Sequence, residues 1–271
     1  MRRCFLAASV FAILGLVTFP IISCGGGSYQ SQTASSPPPP PPASPSGGST
    51  PPSGAIVIEN IEDNPWLTCG ACGNAGGTGP VANYSATTGM VSPSEDSSST
   101  QFAIAATVPF TNAYFFQIHD PIHMQIGFLS YEFDLFIPNG FEAAPQAIEF
   151  ECQQKLNGSI YNFSWQANYP ANTWRIFNYV TQRWDDTGIA FTHFSPGSWH
   201  HIVAEFHSEV STNSVWHDTL TIDGVRTPVN IRHDAFLASG NDQFSNAVQL
   251  DSNILPAAYS IFVDRMKITY K

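Results

Sequence analysis

The feature that most constrains this chain is a period-two alternation of apolar and polar residues, repeated through its second half and broken by turn residues. Tyr131 to Ile137 alternates and stops at Pro138-Asn139-Gly140. Ala147 to Gln153 alternates with Ile148, Phe150 and Cys152 on one parity. Asn157-Gly158 precedes a third run, Tyr161 to Ala167. Trp199 to His207 carries Ile202, Ala204 and Phe206 on one parity, Thr219 to Ile222 ends at Asp223-Gly224, and Ile261 to Tyr270 is the last run. Successive side chains of a strand point to opposite faces, so each run offers one face to a core and one to solvent. Asn-Gly and Asp-Gly supply the left-handed residues that tight hairpins need. The pattern predicts an all-β, antiparallel, two-sheet sandwich. Residues 233–253 are the least regular, and a short helix is expected there.

Composition narrows the classes further. With 21 prolines, 20 glycines and three lysines in 271 residues, helical arrays and coiled coils are excluded. A hydrophobic content of 43% excludes disorder throughout. Ten Lys and Arg against 21 Asp and Glu give a net charge of −11, which argues against a nucleic-acid partner.

The N-terminus reads as an address. Arg2 and Arg3 precede an apolar run from Phe5 to Ile22, the layout of an export signal. Gly15 and Pro20 interrupt it, which suits a signal peptide better than a membrane span. Ile21-Ile22-Ser23-Cys24 followed by three glycines resembles the lipobox of bacterial lipoproteins. That resemblance implies cleavage after residue 23, lipidation of Cys24, and a membrane partner reached through the lipid anchor. Gly25, where an Asp would signal inner-membrane retention, implies the outer membrane or cell surface. Residues 25–54 hold nine prolines, six glycines and eight serines without a charge, so they form a tether rather than a core. Residues 55–271 are then one domain. Removing residues 1–23 takes away two arginines (10 − 2 = 8 basic, 8 − 21 = −13), so the exported part is more acidic than the whole.

Pro196 to Ala204, with Trp199-His200-His201, and Leu220-Thr221-Ile222-Asp223-Gly224 resemble the concanavalin A-like lectin/glucanase and laminin G-like superfamily. Phe262 to Ile268 is similar to the last strand of that fold. The resemblance implies a jelly-roll sandwich with one concave sheet, on which many relatives bind or cleave polysaccharide. It implies no cofactor beyond a structural calcium ion held by Asp and backbone oxygens, for which no ligand loop is legible.

Several groups are candidates for chemistry. Period two places Glu149, Glu151 and Gln153 on one face. Laminarinase-type glycosidases carry Glu-x-Asp-x-(x)-Glu on a similar strand; by that comparison Glu149 matches the nucleophile and Glu151 the assisting acid. Gln153 would stand at the general acid, and an amide cannot donate and recover a proton. The plain reading is a polar, solvated face; the functional one is a hydrolase or lyase using Glu149 and Glu151. Gln117-Ile118-His119 matches a short element of alginate-lyase-like jelly rolls, without that family's basic strands. His201, Glu205 and His207 share a strand face by parity, a weak pattern for a metal. Cys69-Gly-Ala-Cys72 in an exported protein is read as a local disulfide, and Cys152 as a buried thiol.

The aromatic and amide inventory carries the leading expectation. Asn162, Ser164, Gln166 and Asn168 share a face opposite Tyr161, Phe163 and Trp165. Amides with aromatic platforms suit the hydroxyls and C–H faces of a sugar. Trp165 and Trp199 are expected in the core, and Trp174, Arg175 and Trp184 nearer the surface. The expected contacts with a neutral polysaccharide or oligosaccharide are Glu149, Glu151, Gln153, Asn162, Ser164, Gln166, Trp174 and Arg175, in a protein that binds without turnover. A purely adhesive surface module is the remaining alternative.

Overall fold

The computed structural model describes residues 48–69 and 82–271. Cys24 and Cys72, and with them the lipidation and disulfide expectations, lie outside the described residues. The first sheet runs in the order β13 (Val225–Asp234), β12 (Ser214–Ile222), β11 (Trp199–Glu209), β6 (Leu129–Phe136), β16 (Ala258–Tyr270), β4 (Ser99–Ala106) and β3 (Ala82–Met90), with β1 (Ile56–Ile58) on the end of β16. The second runs β10 (Arg183–Ala190), β9 (Thr173–Asn178), β8 (Ser159–Asn168), β7 (Pro145–Leu156), β15 (Gln243–Ser252), β5 (Asn112–His119) and β2 (Leu67–Cys69), with β14 (Phe236–Leu237) beside β8. Every pairing is antiparallel.

The alternating runs become the strands they predict. Ile148, Phe150 and Cys152 of β7 face inward and are buried, as are Ile202, Ala204 and Phe206 of β11. Rings meet across the two sheets: Phe133 of β6 lies 4.4 Å from Phe150, and Phe163 of β8 lies 5.5 Å from Phe206. Each buried Phe contributes about 1.5–3 kcal/mol from area alone. The hairpin signals hold for a backbone reason. Asn157 and Gly158 have φ of 51° and 79°, and Asp223 and Gly224 have 49° and 79°. Two consecutive left-handed residues match the strand twist, so the turn fixes register.

Two expectations are corrected. Residues 233–253 hold no helix; they contain β14 and the ten-residue β15, which sits between β7 and β5. Its alternation, Phe244-Ser-Asn-Ala-Val-Gln-Leu-Asp251, is broken in sequence by Asn246, a buried amide on the inward parity, and by Ala247 on the outward one. Trp199 is not a core residue. It opens β11 on the outer parity, half-buried, with its ring 5.3 Å from Phe136. The sandwich also uses residues upstream of 55. Ser49 donates its backbone N–H to Glu205 at 2.5 Å, and Arg226 contacts both at 2.8–2.9 Å.

Candidate functional site

The outer face of the second sheet is built in rows that cross the strands. One row reads Tyr114 (β5), Gln249 (β15), Glu149 (β7), Gln166 (β8), Arg175 (β9) and Asp186 (β10). The next reads Phe116, Ala247, Glu151 and Ser164, and a third Ile118, Ser245, Gln153 and Asn162. Seven of the eight expected contacts therefore share one face.

The floor of that face is held by two hydrogen-bond clusters, one around Glu149 and one around Glu151, with Asn162 Oδ1 buried and without a hydrogen-bond partner. Gln166 donates to Glu149 Oε1 at 2.7 Å, and Gln249 donates to Glu149 Oε2 at 2.7 Å and to Asp251 Oδ1 at 3.0 Å. Asn168 donates to Gln166 Oε1 at 3.2 Å, which fixes the amide orientation. Asn162 donates to Glu151 Oε2 at 2.9 Å, and the Tyr114 hydroxyl donates to Glu151 Oε1. Tyr114 reaches diagonally across β15, from the first row to Glu151 in the second, past Ala247, which presents only a methyl group. Gln153 and Asn162 both donate to the Tyr179 hydroxyl, at 3.3 and 3.4 Å.

Burial sets the ionisation of this floor. Glu149 is pushed well above the usual carboxylate range, first by burial and then by Asp251. Burial lifts Asp251 to about 6 and raises Glu151, whose partners Tyr114 and Asn162 pull the other way. All three shifts favour the protonated form, so the floor carries less charge than three free carboxyl groups would. Arg175 is tied to Asp186 at 2.8 Å.

Aromatic side chains flank the floor. On one side, Tyr179 stacks on Phe236 at 4.0 Å and 14°, and Phe177 meets Trp184 at 5.2 Å. On the other, Tyr114 and Phe116 lie 5.7 Å apart beside the exposed Leu67 and Ile118.

Trp174 is a correction. It is 3% exposed and packs edge-on against Trp165, Phe191 and Phe194. The β8–β9 register pairs it with Ala167, the inward parity of β8, so a position one residue into a strand was mistaken for a turn. The floor residues also differ from a solvated face: Asn162, Ser164 and Gln166 are each 5% exposed or less. Sequence reasoning missed Tyr114, Tyr179, Gln249 and Asp251 as members of the network. The signal for the last two was Gln249-Leu250-Asp251, inside the stretch expected to be least regular.

Other expectations fall elsewhere. Gln117 is turned inward on β5 and holds the carbonyls of Ile61 and Asn64 at 2.9 and 3.1 Å, and His119 pairs with Asn246 at 2.6 Å. The Gln-Ile-His element is thus structural. Glu205 is taken by Ser49, Thr219 and Arg226, and His207 pairs with Asp218 at 2.9 Å, so His201, Glu205 and His207 do not converge. Cys152 is a buried free thiol, as expected, and burial pushes its pKa up.

One oxygen cluster has the all-carboxylate donor set that a calcium ion takes. Carboxylate oxygens of Glu62, Asp96 and Asp264 lie within 4.8 Å of one another, the span of two oxygens across an ion with bonds of about 2.4 Å. Glu62 Oε1 is buried without a hydrogen-bond partner, and burial lifts the Glu62 carboxyl to about 7. A cation there would satisfy the orphaned oxygen and favour the charged form.

No protein family and no curated protein matches this chain. Solved structures resemble it at low identity. An endo-1,3-β-glucanase from Streptomyces sioyaensis is 16% identical, with 82% of this chain and 99% of that chain covered at a TM-score of 0.44. A cellulose-induced protein, Cip1, is 8% identical, with 75% and 90% covered at 0.45. A family 11 carbohydrate-binding module from Clostridium thermocellum, solved with a β-1,3-1,4-mixed-linked tetrasaccharide, is 12% identical, with 79% and 94% covered at 0.39. The class that the strand topology defines is a two-sheet jelly-roll β-sandwich.

Proposed function

We propose that this protein binds neutral polysaccharide or oligosaccharide on the outer face of the second sheet, without turning it over, and is held at a bacterial surface by a lipid on Cys24. The observation that carries the binding reading is the floor itself. Glu149 and Glu151 have both oxygens engaged by protein donors, and aromatic rings stand on either side of them. Hydroxyl groups of a sugar match amides and carboxyl groups, and its C–H faces match Tyr179, Phe177 and Phe116. The face holds no unpaired arginine or lysine among the floor residues named above, which disfavours anionic glycans. Gln153 stands where a retaining hydrolase needs its second working carboxyl group.

One observation favours a second reading. A carboxyl group raised by burial beside another acid is also how glycosidases prepare a proton donor, and Glu149 beside Asp251 has that environment. A panel of soluble neutral glucans, mannans and xylans, followed by calorimetry and by reducing-end and 235 nm assays, separates the readings. Binding without turnover is expected, with Tyr179→Ala weakening it about tenfold, in line with the loss of one aromatic platform. Turnover abolished by Glu149→Gln would establish the enzyme instead, and silence with every glycan would leave an adhesive module. The anchor is tested separately: palmitate incorporation is expected in the native chain and absent in Cys24→Ala.

A further inference from the structure

The outer face of the first sheet carries a second polar site that the glycan reading does not use. Register places His201 of β11 beside Asp134 of β6, and Glu132 of β6 beside Lys267 of β16. A register shift in β16 between Asp264 and Lys267, with Arg265 at φ 50°, brings the Arg265 side chain to the same place. A cavity of about 330 Å³ opens there, lined also by Glu59, Asn60 and Asp96.

The charges inside it are paired in a definite order. Asp134 accepts from His201 Nδ1 at 2.8 Å and from Arg265 Nε at 2.6 Å. Lys267 pairs with Glu132 Oε2 at 2.9 Å. Two atoms face each other across the remaining gap, at ion-pair but not hydrogen-bond distance. His201 Nε2 is buried and has no hydrogen-bond partner, on a residue 9% exposed. Glu132 Oε1 lies 3.7 Å from it, too far for a hydrogen bond. With Nδ1 committed to a carboxylate, a neutral His201 presents the Nε2 lone pair to the cavity. The 3.7 Å separation, with bonds of about 2.1 Å to nitrogen and oxygen, subtends about 124° at a shared ion, and an approach of about 0.3 Å would make it tetrahedral.

We propose that His201 Nε2 and Glu132 Oε1 bind a divalent first-row transition ion, for which Zn²⁺ is the probe, with Asp134 as the carboxylate that fixes the imidazole and water in the remaining positions. Imidazole with carboxylate selects such ions over calcium, which suits the all-oxygen cluster of Glu62, Asp96 and Asp264. Because His201 and Glu132 belong to neighbouring strands, the ion bridges β11 and β6.

The test is a Zn²⁺ titration of the full chain, its cysteines alkylated, followed through the imidazole resonances of its eight histidines. A saturable, one-to-one change at His201 is expected, with a rise in the thermal midpoint. His201→Asn should abolish it, Glu132→Gln should weaken it at least about tenfold, and Asp134→Asn about 10- to 100-fold, the usual loss when an outer carboxylate is removed. His207→Asn should leave it intact, and Ca²⁺ alone should not move the His201 resonances. No saturable change at His201, or equal Zn²⁺ affinity in the Glu132→Gln and His201→Asn proteins, overturns the proposal. Glu132 is only partly buried, so its variant keeps the test decisive if His201→Asn fails to fold.

Discussion

The two outer faces of this sandwich use the same acids in opposite ways. On the second sheet, Glu149, Glu151 and Asp251 are met by amides and a phenol, and their pKa values rise. On the first sheet, Asp134 and Glu205 are met by His201, Arg265 and Arg226, and both are held below the usual carboxylate range although burial pulls them up. An arginine beside a buried acid favours its charged form, which holds Asp134 and Glu205 down, although Glu95, which shares Arg265 with Asp134, is still raised to about 8 by burial and by Asp134. The first face is therefore the more ionic of the two.

The largest expected effect comes from breaking an ion pair on the first sheet. Arg265 contacts Asp134 at 2.6 Å and also pairs with Glu95. Arg265→Met leaves Glu95 without its arginine and Asp134 with His201 alone. Removing one partner of a buried pair costs about 3–5 kcal/mol. Arg265 is 38% exposed, so about 2–3 kcal/mol is expected in urea unfolding at pH 7. A change below about 1 kcal/mol would mean that the ionic face is no more than a solvated surface.

The pH dependence of stability should have opposite signs on the two faces. Asp251 is raised from 3.8 to about 6, so the folded state holds its proton longer than the unfolded chain. Its contribution is complete below about pH 3.8 and is lost as pH rises to about 6. Asp134 is lowered, so its contribution is present above pH 3.8 and is lost as pH falls through its folded value. Asp251→Asn should therefore remove a decline in stability between pH 4 and 6 of about 1–2 kcal/mol, less than two full units would give because Glu149 interacts with it. A decline that persists in Asp251→Asn would place the titration elsewhere.

How much of this contrast was legible in the sequence depends on which contacts are local. Strand parity is a local property, so β6, β7, β8, β11 and β16 could be read from alternation, and Asn157-Gly158 and Asp223-Gly224 marked their turns. The polar row on β7 and β8 followed from the same parity. The remainder depends on which strand lies beside which. Nothing within Gln249-Leu250-Asp251 says that β15 inserts between β7 and β5 and brings Asp251 to Glu149. Nor does Trp174 announce that its partner is Ala167, which buries it. His201 was visible as an outward residue of its strand, but its true neighbours come from β6 and β16, not from Glu205 and His207 on its own strand.

The smallest expected effect is the sharpest test of the neutral face. If Glu149 keeps its proton, one of its oxygens carries it toward Asp251, while Oε1 accepts from Gln166 and Oε2 from Gln249. Glu149→Gln then replaces an O–H donor by an N–H donor of nearly the same shape and loses one of the two acceptor oxygens. The loss of one neutral hydrogen bond should change stability by about 1 kcal/mol at pH 7. If Glu149 were ionised, the same variant would remove charge-assisted bonds from two amides, at about 1.5–3 kcal/mol. Equilibrium unfolding of Glu149→Gln against the native chain at pH 5 and pH 7 separates these cases. A small, equal change at both values supports a proton held on Glu149, and a loss that grows with pH would make the second face as ionic as the first.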